Sequence, residues 1–461
     1  MKHSILAFVA ALFVAIPANA TLTVSEGCYQ ISTADDLYEL ADLYDSLSYK
    51  DDDEVAALLR CAELTQDIVV NENVLKKDGT PNAGPFRKWK TMYAYFGVLD
   101  GRNHTISGLY QVDTLSDVGF LRGGNGLTTV KNLGIEDSYF ASEYGKGRHL
   151  ASAGSFFSFS GDTVIIDNCF SAATVEMYAE SDGVGGLVGN AVRSRVIRNS
   201  RNVGRVFQTD EKRDSVDEYP SRIAAAGGLV GYSGYTSEVR IENSYNAGPV
   251  SGTEIVGGLV GLSEKKYGDK INPKKLVIEG SYNSGTINTL SSYRYYSAGG
   301  LVGEGMGVIK ESYNIGAVSG LGIVGGLVGS VSFDSLRIEN SFNRGALVSR
   351  GIITDLEELK KDYDEVVSLT GGFVGLIYDS KVIISNSYSA SENYSGKDSV
   401  NSVVGYVDAS IVRFDNVFYR KSKTAQNTIA NIGLFVYDEA LFNNGVVATQ
   451  LHAGNEIWGK S

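Results

Sequence analysis

The chain is poor in the residues that most catalytic and metal sites use. It has four histidines (His3, His104, His149 and His452) and three cysteines among 461 residues. No pair of histidines has the His-Glu-x-x-His spacing, so a zinc peptidase site of that type is excluded. Only six prolines stand against 54 glycines, and tyrosine is the leading aromatic. That balance suits a β protein with many turns and argues against a helical or disordered chain. Beyond the N-terminus no apolar run approaches the roughly eighteen residues of a membrane span. Positive charge is also short, at 41 Lys and Arg against 54 Asp and Glu, a formal net charge of −13 without Lys/Arg clusters. Nucleic acid and anionic lipid are therefore poor partners, and the acidity serves mainly solubility.

What the chain does have begins with an export signal. Lys2 is followed by an apolar stretch over 5–16 and by Ala18-Asn19-Ala20, a small-x-small cleavage site. Residues 1–20 read as a signal peptide, with cleavage expected before Thr21. An exported chain can form disulfides, and Cys28 and Cys61 are the expected pair. Cys169 stands where neighbouring repeats carry serine, and it reads as a small buried thiol with no histidine nearby in sequence.

The dominant feature is a repeated word. GGLVG occurs at Gly185, Gly227, Gly257, Gly299 and Gly325, and GGFVG at Gly371, with weaker copies at Val118, Ala153 and Asn401. A second word follows each close copy: IRNSRNVGRV from Ile197, IENSYNAGPV from Ile241, IEGSYNSGTI from Ile278, IKESYNIGAV from Ile309, IENSFNRGAL from Ile338 and ISNSYSAS from Ile384. Such periodicity decides the fold before any local propensity does. Each unit holds three strand-like runs separated by Gly, Asn or Ser, with apolar and polar residues alternating. Three strands and three bends describe one coil of a right-handed parallel β-helix, an all-β solenoid with coils stacked about 4.8 Å apart.

This register makes further expectations. Leu187, Leu229, Leu259, Leu301 and Leu327 should point inward as a ladder. The GGLVG glycines should supply positive φ and close approach between coils. Asn199, Asn243 and Asn340 should turn another corner in the left-handed conformation. Open solenoid ends invite aggregation, so caps are expected. Thr33 with Asp36 makes a capping-box signature for a helix over 36–44, and a second helix is expected over 53–59. Residues 66–71 read as the first strand, and 439–451 should cover the last coil. The domains are then a signal peptide (1–20), a helical cap (21–66), the repeat solenoid (67–420) and a C-terminal cap (421–461).

At these words the chain resembles the GLUG-motif repeat proteins over 96–419, beginning with FGVLDGRNHTISGLY from Phe96. The opening GCYQISTADDLYELADL from Gly27 resembles the cap of exported repeat proteins of this kind. The resemblance implies a bacterial secreted or surface solenoid, often adhesin-like, and no single activity. Some members of the family carry an IgA-cleaving metallopeptidase domain. The spacing of the histidines excludes that branch here.

The search for chemistry finds little. GLGIVG from Gly320 matches a dinucleotide fingerprint, but it belongs to the repeat and no helix is expected after it. Asp51, Asp52, Asp53 and Glu54 lack the spacing of a calcium loop and read as a solvated helix start. Glu242, Glu279, Glu311 and Glu339 read as solvated outward positions, with nothing to mark one coil as a lyase or hydrolase site. No cofactor and no metal are expected.

The informative departures are insertions after Gly204, Gly285 and Gly345, on alternate coils. If the strands stay in register, these loops leave one edge of the solenoid, and such an edge is often the binding face. They contain Tyr219, the cluster Tyr293, Arg294, Tyr295 and Tyr296, and Tyr363 in a short expected helix, all candidate ligand-binding residues. The expectation is a non-catalytic, adhesin-like binder of extracellular polysaccharide or of a cell-surface protein. The alternatives are a structural envelope protein and a β-helix polysaccharide lyase or hydrolase.

Overall fold

The computed structural model describes residues 22–47, 60–114, 117–142, 151–160, 163–178, 183–209, 224–234, 237–263, 276–290, 297–333, 335–350, 368–391, 394–395, 399–420, 434–437 and 446–451. The expected signal peptide, the second helix over 53–59 and the acidic run at Asp51 lie outside these residues.

The chain folds as a parallel β-solenoid. One coil runs through Ala225–Gly227, Val230–Ser233, Glu238–Glu242, Tyr245–Asn246 and Val250–Gly252. The next coil repeats each element in register, with Ala226 opposite Val256, Val230 opposite Val260, Ile241 opposite Ile278, Tyr245 opposite Tyr282 and Val250 opposite Ile287. The five short strands fall into three runs, with GGLVG a tight turn inside the first, NSYN a corner inside the second, and Val250–Gly252 the third. The third run builds a separate parallel sheet of nine strands, from Tyr110–Asp113 to Tyr394–Ser395.

The repeated leucines point into the coil. Leu187, Leu229, Leu259, Leu301 and Leu327 are fully buried in one core cluster that runs the length of the solenoid. Each donates its backbone N–H to the equivalent residue of the next coil, Leu259 to the Leu301 carbonyl at 2.8 Å and Leu327 to that of Phe373 at 2.9 Å. Two polar ladders are buried beside them. Asn202, Asn246, Asn283, Asn314 and Asn343 pass side-chain hydrogen bonds of 2.8–2.9 Å from coil to coil. Ser200, Ser244, Ser281, Ser312, Ser341 and Ser387 each accept a backbone N–H from the preceding coil. Because every amide and hydroxyl in these ladders finds a partner one coil away, burying them carries little desolvation penalty.

The corner asparagines behave as the sequence implies, with φ of 51° at Asn199, 47° at Asn243 and 49° at Asn340. The two coils between Asn243 and Asn340 show which residues can replace them, since Gly280 and Glu311 hold the same corner at φ 59° and 48°. The GGLVG glycines are needed for another reason than the one expected. None has a φ in the left-handed range. A Cβ on Gly257 would lie 1.9 Å from the Val260 carbonyl oxygen, and one on Gly258 would lie 2.0 Å from the Gly300 carbonyl oxygen. Close approach of backbone alone selects glycine there.

The N-terminal segment joins the solenoid earlier than its sequence suggests. Cys28–Ile31 pairs in parallel with Cys61–Leu64, which pairs with residues 98–100. The ladder therefore starts ahead of 66–71, where only Ile68–Val69 is strand. Both early strands alternate half-buried and buried residues, but four residues are too few to stand out beside a helix signature. The helix spans Ala34–Leu47. Asp36 accepts the N–H groups of Ser32 and Thr33 at 2.9 Å, and Thr33 Oγ1 accepts that of Asp36 at 3.1 Å. Leu37, Leu40 and Tyr44 then bury in the core with Ile31 and Leu64. A disulfide joins Cys28 to Cys61, 33 residues apart. Closing a loop of that size contributes roughly 3–4 kcal/mol.

At the other end, Leu434–Tyr437 pairs with Val417–Arg420 as a final strand. The helix Val446–Leu451 lies on the flank of the last coils, where Val447 and Leu451 pack on Phe418 with Phe342 and Tyr388 beside them. This cluster is separate from the solenoid core, so the helix covers an outer face of the coils.

Candidate functional site

The edge that carries the insertions is well defined by its flanking strands. On one side Val206, Val250, Ile287, Val318 and Leu347 stand in one register line. On the other, Ala225, Ile255, Ser297, Ile323 and Leu369 stand in a second. The segments 210–223, 291–296 and 351–367 thus leave and rejoin the solenoid at one corner, while Thr253-Glu254 and Leu321-Gly322 turn it directly on the coils between. The Ser349 and Ser368 hydroxyls meet at 2.5 Å across the base of the longest insertion. Tyr219, Tyr293, Arg294, Tyr295, Tyr296 and Tyr363 lie in the insertions, outside the described residues.

Beside this edge the coils carry an unusual carboxyl. Leu262, Glu304 and Ser330 occupy one register line. Leu262 belongs with Ala225, Ile255 and Tyr232 to a buried apolar cluster outside the main core. Burial raises the Glu304 pKa above its ordinary value, and a hydrogen bond with Ser330 only partly offsets this. The folded chain then holds a proton that the unfolded chain releases in the usual carboxylate range. The associated stability is complete below that range and is lost as pH rises through the raised folded value. Glu304→Gln should therefore melt higher than the parent at neutral pH and match it at low pH. Parallel melting-temperature profiles for the two proteins across pH 3–8 would contradict this assignment.

A feature that the sequence reading missed runs down the outer flank. Tyr245, Tyr282, Tyr313, Phe342 and Tyr388 stack face to face, with ring centroids 4.6–4.8 Å apart and planes within 7° of parallel. Phe418 and Phe435 continue the column at 5.2 Å, and the Arg201 guanidinium sits 4.5 Å from the Phe170 ring on the earlier coils. Burial raises the phenol pKa of Tyr282 and Tyr313, and pushes that of Tyr388 up to about 12. The signal was present as the aromatic letter of NSYN and NSFN, between the inward serine and the inward asparagine.

The repeat carboxylates are held by cations along the coils, and two of them, Glu242 and Glu279, are register partners that share one arginine. Glu242 and Glu279 bind Arg240, and Glu339 binds Arg337 and Lys310. Glu311 is displaced from their line, because it occupies the corner position that asparagine holds in other coils. Such half-exposed pairs contribute about 0–1 kcal/mol each. Cys169 is buried, and desolvation pushes its thiol up to about 12, so it is no nucleophile at neutral pH.

A mixed polar grouping lies at the N-terminal end. A shallow groove is lined by Gln30, Glu63, Thr65, Arg102 and His104. Glu63 accepts hydrogen bonds from Gln30 at 2.8 Å and from Arg102, and these hold its carboxyl below the usual range. His104 Nδ1 lies 3.2 Å from Asp67, which also accepts the Thr105 N–H. The set places an oriented imidazole near a guanidinium, although Arg102 is already committed to Glu63.

These features define a parallel β-solenoid with an elaborated edge and a stacked aromatic flank. No protein-family model matches the chain, and no curated protein matches it. The GLUG-type resemblance therefore rests on the repeated words themselves. Among solved structures, the chain is similar to a crystal structure described as a "putative immunoglobulin A1 protease" from Bacteroides ovatus. The two are 15% identical, the match covers 92% of this chain and 87% of the other, and the TM-score is 0.31. That description runs against the expectation of a non-catalytic chain, which is withdrawn. At that TM-score the likeness assigns no activity and no catalytic residue to this chain. Among the described residues no helix is long and apolar enough to cross a membrane.

Proposed function

We propose that this protein is an exported rod that holds an extended polysaccharide along the edge from which its insertions depart. The observation that supports this most directly is the unbroken register of the strands on both sides of that edge, which lines up the bases of all three long insertions. An extended chain of repeating chemistry can meet such loops in succession, and several weak contacts then act together. Tyr219, Tyr293, Tyr295, Tyr296 and Tyr363 supply apolar rings with a polar tip, the combination that suits sugar faces, and Arg294 adds a charged donor. Export agrees with the leader sequence and with the Cys28–Cys61 disulfide. The test is co-sedimentation of the mature protein with a panel of insoluble polysaccharides. Retention on one or more of them is expected. Retention only on intact cells treated to remove glycans would move the partner to a cell-surface protein, and retention on neither would leave a purely structural rod.

A further inference from the structure

We propose that the partly exposed stretch of the aromatic column at Tyr245, Tyr282 and Tyr313, which the helix Val446–Leu451 does not reach, is a docking face for an amphipathic helix of another protein. The column is already an interface at its C-terminal end. There the chain lays its own helix Val446–Leu451 on Phe418, with Phe342 and Tyr388 packed alongside. Val447 and Leu451 are four residues apart and so project from one helix face, and each is 2% exposed. Toward the N-terminus the same column continues through Tyr313, Tyr282 and Tyr245 without a change of spacing or tilt. These three rings are only partly buried.

Ring geometry and neighbouring side chains identify the class of occupant. The rings spend their faces on one another, so only their edges and hydroxyls point outward. A sugar ring packs on an aromatic face, and these faces are taken, whereas the column already receives the aliphatic side chains of Val447 and Leu451 at Phe418. Two residues beyond Tyr313, Ile315 adds exposed aliphatic surface at 49%, and Val203 does so at 43% on the Arg201 coil that precedes Tyr245, while Ala247 and Ser284 hold the equivalent positions between them. Three rings at this spacing span roughly 10 Å, the length of about six or seven helical residues, and the resident helix has six. The occupant is thus a short helix with an aliphatic pair at i and i+4, flanked by polar residues. It comes from a different protein because each chain's own helix is held on its own rings at high effective concentration. This face and the insertion edge are separated on each coil by a third-run strand such as Val250–Gly252, so the two readings stand or fall independently.

The test is fluorescence anisotropy with a labelled, helix-stapled peptide carrying residues 440–455 of this sequence, titrated with the full mature protein. Saturable binding with a dissociation constant below about 1 mM is expected. Tyr282→Ser with Tyr313→Ser should weaken it at least tenfold, and a peptide with Asp at the Val447 and Leu451 positions should not bind. Replacing Tyr293, Tyr295 and Tyr296 by Ala should leave the peptide affinity unchanged. Absence of saturation, or equal affinity in the Tyr282/Tyr313 variant, would overturn the proposal. So would self-association of the parent that the Tyr282 and Tyr313 substitutions abolish, since the face would then belong to a second copy.

Discussion

Leu259→Asp is expected to unfold several coils. The side chain is fully buried between the equivalent leucines of its neighbours, and its backbone N–H is bonded to the Leu301 carbonyl. An aspartate there places a carboxylate in the apolar ladder with no cation to pair it, at a cost of more than about 4 kcal/mol. Because each coil contacts only its neighbours, the damage should spread from the middle of the rod. Hydrogen exchange should show lost protection centred on the coils of Leu229, Leu259 and Leu301, while the Cys28–Cys61 end stays protected. A variant that melts within a degree or two of the parent would mean that Leu259 does not face the core.

Gly257→Ala should come close to this in severity, although it adds a single methyl group. Its Cβ would lie 1.9 Å from the Val260 carbonyl oxygen and 2.6 Å from the Gly303 nitrogen, both backbone atoms of the paired strands Val260–Ser263 and Val302–Glu304. Relief requires the turn between Gly257 and Val260 to open and the next coil to shift, at about 3 kcal/mol or more. Gly234→Ala is the matched control, since the nearest atom to its Cβ would be 3.5 Å away at the edge of a tyrosine ring. It should change stability by less than about 0.5 kcal/mol. Chemical denaturation of the pair measures the difference, and equal midpoints would remove close approach as the reason for the repeated glycines.

These two residues also show how much the sequence could reveal. The inward leucines and the corner asparagines follow from periodicity, because a stacked coil presents the same environment at every copy. Periodicity gives position without cause, however. The GGLVG glycines were expected to bend the chain through positive φ, and the structure assigns them to backbone crowding. Short elements outside the repeat were harder to read. The strands Cys28–Ile31 and Cys61–Leu64 are recognisable only through their pairing partners. The resting place of Val446–Leu451 depends on which outer face is apolar, and that required knowing that the NSYN aromatics stack outward.

The candidate sites divide along the same line. The aromatic flank was written in five of the six second words, with Arg201 in its place in the first, but those words were taken for their asparagines and binding residues were sought in the insertions. The position of the insertion edge was legible from gap lengths alone, since in-register strands force loops at equivalent positions onto one side. The side chains on those loops follow no repeat, so no periodic argument fixes where they point.

If the insertion edge holds polysaccharide through its loop aromatics, the Tyr293→Ala, Tyr295→Ala, Tyr296→Ala triple variant should bind the polysaccharide that retains the parent protein more weakly than the parent does. Stacked aromatics in a binding edge are worth on the order of 1–3 kcal/mol on removal. Affinity should therefore fall at least tenfold while the far-ultraviolet β signal and melting temperature stay those of the parent. Unchanged affinity in a folded triple variant would mean that these tyrosines do not touch the polysaccharide.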